Sequence, residues 1–521
     1  MYVMQRRMKM DSIFIERMRE DRRWFFIMSI IYGGVFTLCL YRNMSGVTFP
    51  VMTAVSLWFS VLFLRKVGIT FQKGTIRYFA GILLLGISTM LTDNGFFHFF
   101  NSAGIILLFM MAMAHQVYQD REWGFTEYVK KFFIMLGTWI VSVGELFRSV
   151  GKKETAGAAN GSAYDSVDKC EHNSPGKAGK NTGPVLIGIL AAALMLIIVL
   201  PLLMMSDEIF LHIFGSLFRF LNPLHFIREI DFANIFGVIL TFLFGMTALY
   251  AFFAGLFRMN LGGKARRETG STNYITGITF TGIMAAVYVF YSGIQILFLF
   301  LRLDSGLPDG VTYSQYAHQG FWQLLFVSLI NFVTVLVCVK IFEDNKTLRI
   351  LLTVISACTC IMILSAAYRM ALYVKEYNLS FLRMLVLWFL AVLMIIFFGV
   401  ICSIYRKDFR LFRYITAVVS VCYILFSFSR ADALIAGYNI RNVGTAQETD
   451  LYYLMYGLSQ DAAPQIAQIS REQLKESRME ESAEDYFRGI MESNKELSVR
   501  QWNYSRSLAG KSAEEWLSDR E

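Results

Sequence analysis

Apolar runs of near 20 residues recur along the chain, each closed by a short polar loop. At about 1.5 Å of rise per residue, such a run matches a hydrocarbon layer roughly 30 Å thick. The pattern predicts spans at 24–41, 47–64, 76–92, 96–118, 184–205, 232–257, 274–301, 319–341, 348–374, 381–405 and 411–428. The runs are continuous and do not alternate, which favours helices over the strands of a membrane barrel. The expected fold class is therefore all-α: a polytopic helical membrane protein with about eleven transmembrane helices, interfacial helices and a small helical C-terminal tail.

One further segment, 126–148, decides the topology of the rest of the chain. Its uninterrupted apolar core, Phe132 to Gly144, lies between Lys131 and Glu145 and is too short to cross hydrocarbon. If the segment stays on one side, Arg65, Lys66, Lys73, Arg77, Lys152, Lys153, Arg258, Lys264, Lys346, Arg349, Arg406 and Arg410 all fall in cytoplasmic loops. If it spans, half of the protein violates the positive-inside rule. We therefore expect an interfacial or re-entrant segment, a cytoplasmic N-terminus and an extracytoplasmic C-terminus.

The resulting layout is a cytoplasmic segment at 1–23, a four-span part at 24–118, and an interfacial helix with a flexible linker at 119–183. A seven-span part follows at 184–428, then a tail at 429–521. The linker is rich in Gly, Ser, Ala, Asn and Lys and has too few large apolar residues to bury a core. Within 206–231, Ile209, Ile213, Leu217 and Phe220 form one apolar face while Asp207, Glu208, Arg219 and Arg228 resist insertion, so a helix lying on the outer surface is expected. In the tail, Ser470 and Gln473 form a capping-box signature opening a helix expected to run to about Asn494. Leu451, Leu454, Met455 and Leu458 predict a shorter helix before it. Ala463-Pro464 suits a first helical turn, and Trp502, Tyr504, Leu508 and Trp516 are the expected packing partners.

Composition agrees: 55% of residues are hydrophobic and only 17% charged, well below a soluble domain. The net charge of +9 raises nucleic acid as a partner, but the cations sit in short loops beside apolar runs, so no nucleic-acid role is expected. Cys39, Cys338, Cys358, Cys360, Cys402 and Cys422 lie within apolar runs, and Cys170 lies in the linker; the spacing suits neither a disulfide framework nor zinc. The first apolar run is followed by Arg42-Asn-Met-Ser, which lacks the small residues of a cleavage site, and is expected to remain as a span. No cofactor motif, metal site or catalytic residue emerges.

Polar residues inside the spans are the candidate chemistry. Asn94, His98 and Asn101 share a helical face at the start of the fourth span. Tyr288, Tyr291, Gln295 and Arg302 share another. Tyr313, Tyr316, Gln323 and Asn331 form a third stripe, and Ser365 with Arg369 a fourth. A charged side chain inside a span costs a few kcal/mol on the mildest scale, so Arg369 is expected to face protein or water. The candidate polar pocket is thus Asn94, His98, Asn101, Gln295, Arg302, Tyr313, Tyr316, Gln323, Asn331 and Arg369, opening outward. The plainer reading makes these residues interhelical glue.

Several stretches also resemble a known family. Thr312-Tyr-Ser-Gln-Tyr-Ala-His-Gln-Gly-Phe321 resembles a TYxxYAxxGF segment, and Ser365-Ala-Ala-Tyr-Arg-Met-Ala-Leu-Tyr373 an SAxxRMxLY segment, of bacterial polytopic membrane proteins grouped as a domain of unknown function. Leu458-Ser-Gln-Asp-Ala-Ala-Pro464, Trp502-Asn-Tyr-Ser-Arg506 and Asp93-Asn-Gly-Phe-Phe-His98 resemble further signatures of it. The resemblance implies membership and a membrane location and carries no activity.

The function expected first is a non-enzymatic sensor, regulatory or envelope-associated component. Its partners are the lipid bilayer and, at the pocket, a lipid headgroup, a small solute or an envelope protein. A transporter of a small solute or lipid is the alternative, resting on Asn331 and Arg369. A membrane glycosyltransferase-like enzyme ranks third, because the first outer loop, Arg42 to Gly46, carries no acidic residue.

Overall fold

The computed structural model describes residues 14–18, 20–118, 123, 125–144, 232–258, 273–296, 321–406, 409–442, 448–495 and 497–518. Among these, every regular element is helical. In chain order they are α1 (Arg22–Leu40), α2 (Thr48–Val67), α3 (Ile76–Leu91), α4 (Gly95–Val117), α5 (Phe125–Val141), α6 (Phe232–Arg258), α7 (Tyr274–Ile294), α8 (Phe321–Ile341), α9 (Lys346–Tyr377), α10 (Phe381–Tyr405) and α11 (Leu411–Phe428). The tail adds α12 (Ala431–Asn442), α13 (Glu448–Tyr452), α14 (Ala463–Ile466), α15 (Arg471–Glu476), α16 (Glu480–Lys495) and α17 (Tyr504–Ser518).

Ten of the described helices, α1–α4 and α6–α11, are long and apolar enough to cross a membrane. They coincide with ten of the expected spans; the one at 184–205, the linker at 151–183, the surface helix at 206–231 and the loop from Arg302 to Gly320 lie outside the described residues. The helix in the ambiguous segment, α5, has 17 residues and is not among the ten.

The chain falls into two compact units that cut across chain order. The first comprises Met1–Tyr41, Lys66–Gly68 and Phe133–Asn260. In it α1 and α6 run antiparallel, held by glycines that let the backbones approach. A Cβ on Gly33 would press on Met246 and the Phe242 carbonyl, one on Gly245 would collide with Phe36, and one on Gly237 with Tyr41. The Tyr41 hydroxyl closes this seam at one end, donating to Asn234 Oδ1 at 2.6 Å.

The second unit comprises Arg42–Arg65, Ile69–Phe132 and Leu261–Glu521. Its centre is α9, whose Leu352, Ile355, Met362 and Ile363 are buried against α8 and α10 residues such as Val335, Leu390, Val392, Ile396 and Phe397. The pair α3–α4 packs through Ile82, Leu85 and Leu108. Phe97, Phe381, Trp388 and Phe426 form an aromatic layer near the ends of α4, α10 and α11, with Trp388 stacked on Phe426 at 5.1 Å. At the other end of the α3–α4 pair, Gln116 accepts from Gln72 N at 2.8 Å and Thr75 Oγ1 at 3.1 Å, which accounts for that polar residue at the end of a span.

Helix α9 is 32 residues long, about 48 Å, and overshoots its apolar run. Its last turn carries Lys375 and Glu376 beyond the hydrocarbon and stops at Asn378, whose φ of 64° ends a helix. Arg349 and Arg369 lie about 20 positions apart on it, or roughly 30 Å, the thickness of the hydrocarbon layer itself. Arg369 is buried about two turns before the end of the helix at Tyr377, on the side of the tail.

The tail is a helical assembly with its own core of Leu451, Leu454, Met455, Ile466, Leu474, Phe487 and Trp516; Trp516 stacks on Phe487 at 4.8 Å. The expected capping box forms at Ser470–Gln473. The helix it opens stops at Glu476, however, and does not run to Asn494. Arg478 adopts φ 56° while Met479 N donates to Leu474 O at 2.8 Å, a turn that buries both Leu474 and Met479 before α16 starts. Trp502 and Tyr504 are partly exposed, against the expectation that they pack on the tail helices.

Candidate functional site at the tail-bearing end of the bundle

The tail grips three turns of the second unit, all at the end of the bundle from which it emerges. The turn between α3 and α4, Thr92–Asn94, is the most heavily engaged. Asp461, which is fully buried, accepts from Thr92 Oγ1 at 2.5 Å and from Asp93 N at 2.8 Å, and is also bonded by Ser505 Oγ. Arg506 Nε donates to Asp93 Oδ1 at 2.7 Å. Asn503 Nδ2 donates to Thr92 O at 3.0 Å and to Ser45 O at 2.9 Å, tying this turn to the one before α2. Asp461 lies within the short helical turn Gln460–Ala462, and Asn503 directly precedes α17, where its Oδ1 accepts Ser505 N at 2.9 Å.

Asp432, at the start of α12, is the second buried carboxylate. Its Oδ2 accepts from Asn94 Nδ2 at 2.8 Å, Ser459 N at 3.1 Å and Ser459 Oγ at 2.5 Å. Its Oδ1 and the Tyr486 hydroxyl are buried with no hydrogen-bond partner among the described residues. Burial pushes the Asp432 carboxyl above the usual carboxylate range, against the pull of Ser459 and Asn94. Burial does the same to Asp93, against the pull of Arg506. The Tyr486 phenol is raised by burial and further by the charges of Asp432, Asp461 and Asp93.

The third turn, Asn378–Ser380 between α9 and α10, is held like a strand partner. Asn439 exchanges two hydrogen bonds with Leu379, Oδ1 accepting its N–H and Nδ2 donating to its carbonyl, each at 2.9 Å. Tyr453 OH accepts Phe381 N at 3.1 Å, and Asn378 Nδ2 donates to Asp450 Oδ2 at 3.1 Å.

The sequence-predicted pocket residues separate into groups. Asn94, His98 and Asn101 belong to the clamp and its support: Asn94 caps α4, His98 Nε2 meets Thr92 O at 2.8 Å, and Asn101 Oδ1 accepts from Tyr423 and Ser427 at 3.0 Å each. Gln295 and Arg369 come together at a different place. The α7 backbone opens into a π turn at Gln295, and Gln295 Oε1 accepts Ser365 Oγ at 2.6 Å and Arg369 Nη2 at 3.4 Å. All three are buried, Arg369 to 8% exposure. Asn331 is bonded to Thr359 at 2.9 Å, about 9 Å along α9 from Ser365 and about 15 Å from Arg369, and so stands apart from that trio. Gln323 is exposed. Arg302, Tyr313 and Tyr316 lie outside the described residues.

Sequence reasoning drew stripes on single helices and so missed Asp432 and Asn439. The resemblance motifs did mark Asp461, Asn503, Ser505 and Arg506, without naming their partners. Among the described residues no group of His, Cys, Asp or Glu is placed to hold a metal ion. Asp461 has both oxygens bonded by donors of the protein itself, whereas Asp432 is bonded through Oδ2 alone; both join the tail to the turn between α3 and α4.

No curated protein matches the chain. No solved structure matches it either. Residues 79–469, from within α3 to just past α14, match the family described as "Domain of unknown function (DUF4153)". Three-quarters of the chain lie in that match, and this multi-helix, membrane-spanning protein belongs to that family.

Proposed function

We propose that the protein is a non-enzymatic sensor or regulatory component of a bacterial cell envelope, seated in the plasma membrane with its tail outside. In this reading the tail is fixed to the bundle as a recognition part. The trio Gln295, Ser365 and Arg369 forms the rim of an outward-facing polar pocket for an anionic headgroup or solute, with an envelope protein as the alternative occupant. The observation that carries it is the guanidinium of Arg369, buried with Gln295 and Ser365 about two turns from the tail-side end of α9, where a cation suits an anion entering from the interface.

The orientation rests on charge. Arg65, Lys73 and Arg77, then Lys346 and Arg349, then Arg406 and Arg410, flank turns at the end opposite the tail, the arrangement of a cytoplasmic face. A reporter active only outside the cytoplasm, fused after Ser518, should be active; a reporter active only in the cytoplasm giving signal there instead overturns the orientation.

For the pocket, native mass spectrometry of protein extracted with its lipids should find an anionic lipid or solute retained by the wild type and lost from Arg369→Leu at equal helix content. An identical set of bound species on both proteins refutes the pocket. Transport of a small solute or lipid is the second reading, favoured by the Asn331–Thr359 pair lying deeper on the same helix. Flux into vesicles that is lost in Asn331→Leu selects it over the first.

A further inference from the structure

The segment Ser498–Tyr504, which leads into α17, leaves large apolar side chains outside the tail's core. Val499 is 88% exposed, Trp502 42% and Tyr504 42%. A soluble domain buries such residues or keeps them scattered, whereas these three sit within six positions. Their place relative to the membrane is fixed by the backbone. Val47 N donates to Trp502 O at 2.8 Å, Asn43 Nδ2 donates to Arg500 O at 2.8 Å, and Asn503 Nδ2 reaches Ser45 O. A Cβ on Gly46 would collide with the Arg500 carbonyl and with Gln501 Cα, so the two segments lie in backbone contact.

The turn Asn43–Val47 leads directly into α2, a membrane span, and is thereby held at the boundary between hydrocarbon and water. Met44 on this turn is 58% exposed, and Val51 and Trp58 on one face of α2 are 50% and 60% exposed, as lipid-facing residues of a span are. The exposed side chains of Ser498–Tyr504 thus lie beside the turn that enters α2. Trp and Tyr are the residues that favour this layer, since their rings are apolar and their polar atoms reach water or headgroups.

We propose that Ser498–Tyr504 is a membrane-interface anchor, with Val499 and Trp502 seated in the headgroup layer of the leaflet beside the tail. The tail is then held twice, by its polar bonds to the turns and by this lipid contact. The proposal needs neither the ligand pocket nor the orientation of the termini.

Hydroxyl-radical footprinting of the unmodified full chain in nanodiscs of phosphatidylethanolamine and phosphatidylglycerol tests it first. Tyr452 and Tyr456 are tail side chains of similar exposure, 58% and 49%, and serve as internal references. Trp502 oxidation should be slowed by roughly threefold or more relative to those tyrosines, as expected for a ring in the interface. Equal oxidation overturns the anchor. The second measurement distinguishes lipid from protein cover. A fluorophore on Val499→Cys, in a variant lacking the native cysteines, should be quenched by lipids carrying a nitroxide near the headgroup. The same fluorophore on Lys511→Cys, an exposed position of α17, should respond only to an aqueous quencher. A Val499 probe shielded from water yet silent to the nitroxide lipids means that a second copy or another protein covers the segment, and the proposal fails.

Discussion

Two polar clusters in the second unit show two ways of placing polar groups in and beside a membrane. The clamp around Asp461 is dense: three donors on one carboxylate, an arginine on the neighbouring aspartate, and an asparagine bridging two turns. The trio at Gln295 gathers around one amide oxygen, which a serine and an arginine share. Helix bonds already satisfy most backbone groups, so the clamp's side chains serve three irregular turns that would otherwise leave N–H and C=O groups facing protein. The trio serves no turn. It joins a buried guanidinium and a hydroxyl of α9 to one amide of α7, a contact between two spans. The clamp fastens turns to the tail, and the trio fastens one helix to another.

The largest effect is expected at the clamp. Asp461→Ala strands Thr92 Oγ1, Asp93 N and Ser505 Oγ in a buried site, each worth about 1–3 kcal/mol when orphaned. Limited proteolysis should then release the tail while the spans stay helical; a tail as resistant as wild type would contradict the clamp. Next, Gln295→Leu removes the shared acceptor from Ser365 and Arg369 and should cost about 2 kcal/mol, lowering the melting temperature without loosening the tail. Ser365→Ala loses one bond only and should cost about 1 kcal/mol, with bound anion retained. If Ser365→Ala is as harmful as Gln295→Leu, the amide holds the hydroxyl and not the guanidinium.

The smallest expected effect is Asp432→Asn, and its sign is informative. The folded carboxyl titrates above its ordinary value of 3.8, so the folded state holds more protons than the unfolded one just above that value. Stability from this group therefore falls as pH rises through that window and is recovered on acidification. The amide removes the charge at every pH while keeping an acceptor for Asn94 and Ser459. At neutral pH the variant should melt within about 1 kcal/mol of wild type or slightly above it, and the difference should shrink as pH falls toward 4. A difference that widens on acidification would reverse the assignment.

The same contrast separates what was legible in the sequence from what was not. Spans follow from length and hydropathy because hydrocarbon thickness is a single number that each run must meet alone. The ten described spans, and the capping box at Ser470, were legible for that local reason. Clamp partners are not local: Asn94 and Asp432 are 338 positions apart, Thr92 and Asp461 369, and Asp93 and Arg506 413. A stripe on α4 identified Asn94 and Asn101 as polar but gave no sign that the tail and α11 would satisfy them. The break at Arg478 was hidden too, because a left-handed arginine carries no glycine to announce it.

The two arginines of α9 have a mechanical consequence. Arg349 is held by both oxygens of Asp344 and Arg369 by Gln295, so the helix carries two held charges roughly 30 Å apart, a separation close to the thickness of a hydrocarbon layer. A thicker bilayer would drag a cation into acyl chains and a thinner one would expose apolar side chains to water, each at fractions of a kcal/mol per Å. Because Asn378 at the end of α9 hydrogen-bonds Asp450 of the tail, strain from such mismatch would reach the tail first. Helix α9 thereby links the depth of its two arginines to the turn that the tail holds at Asn378.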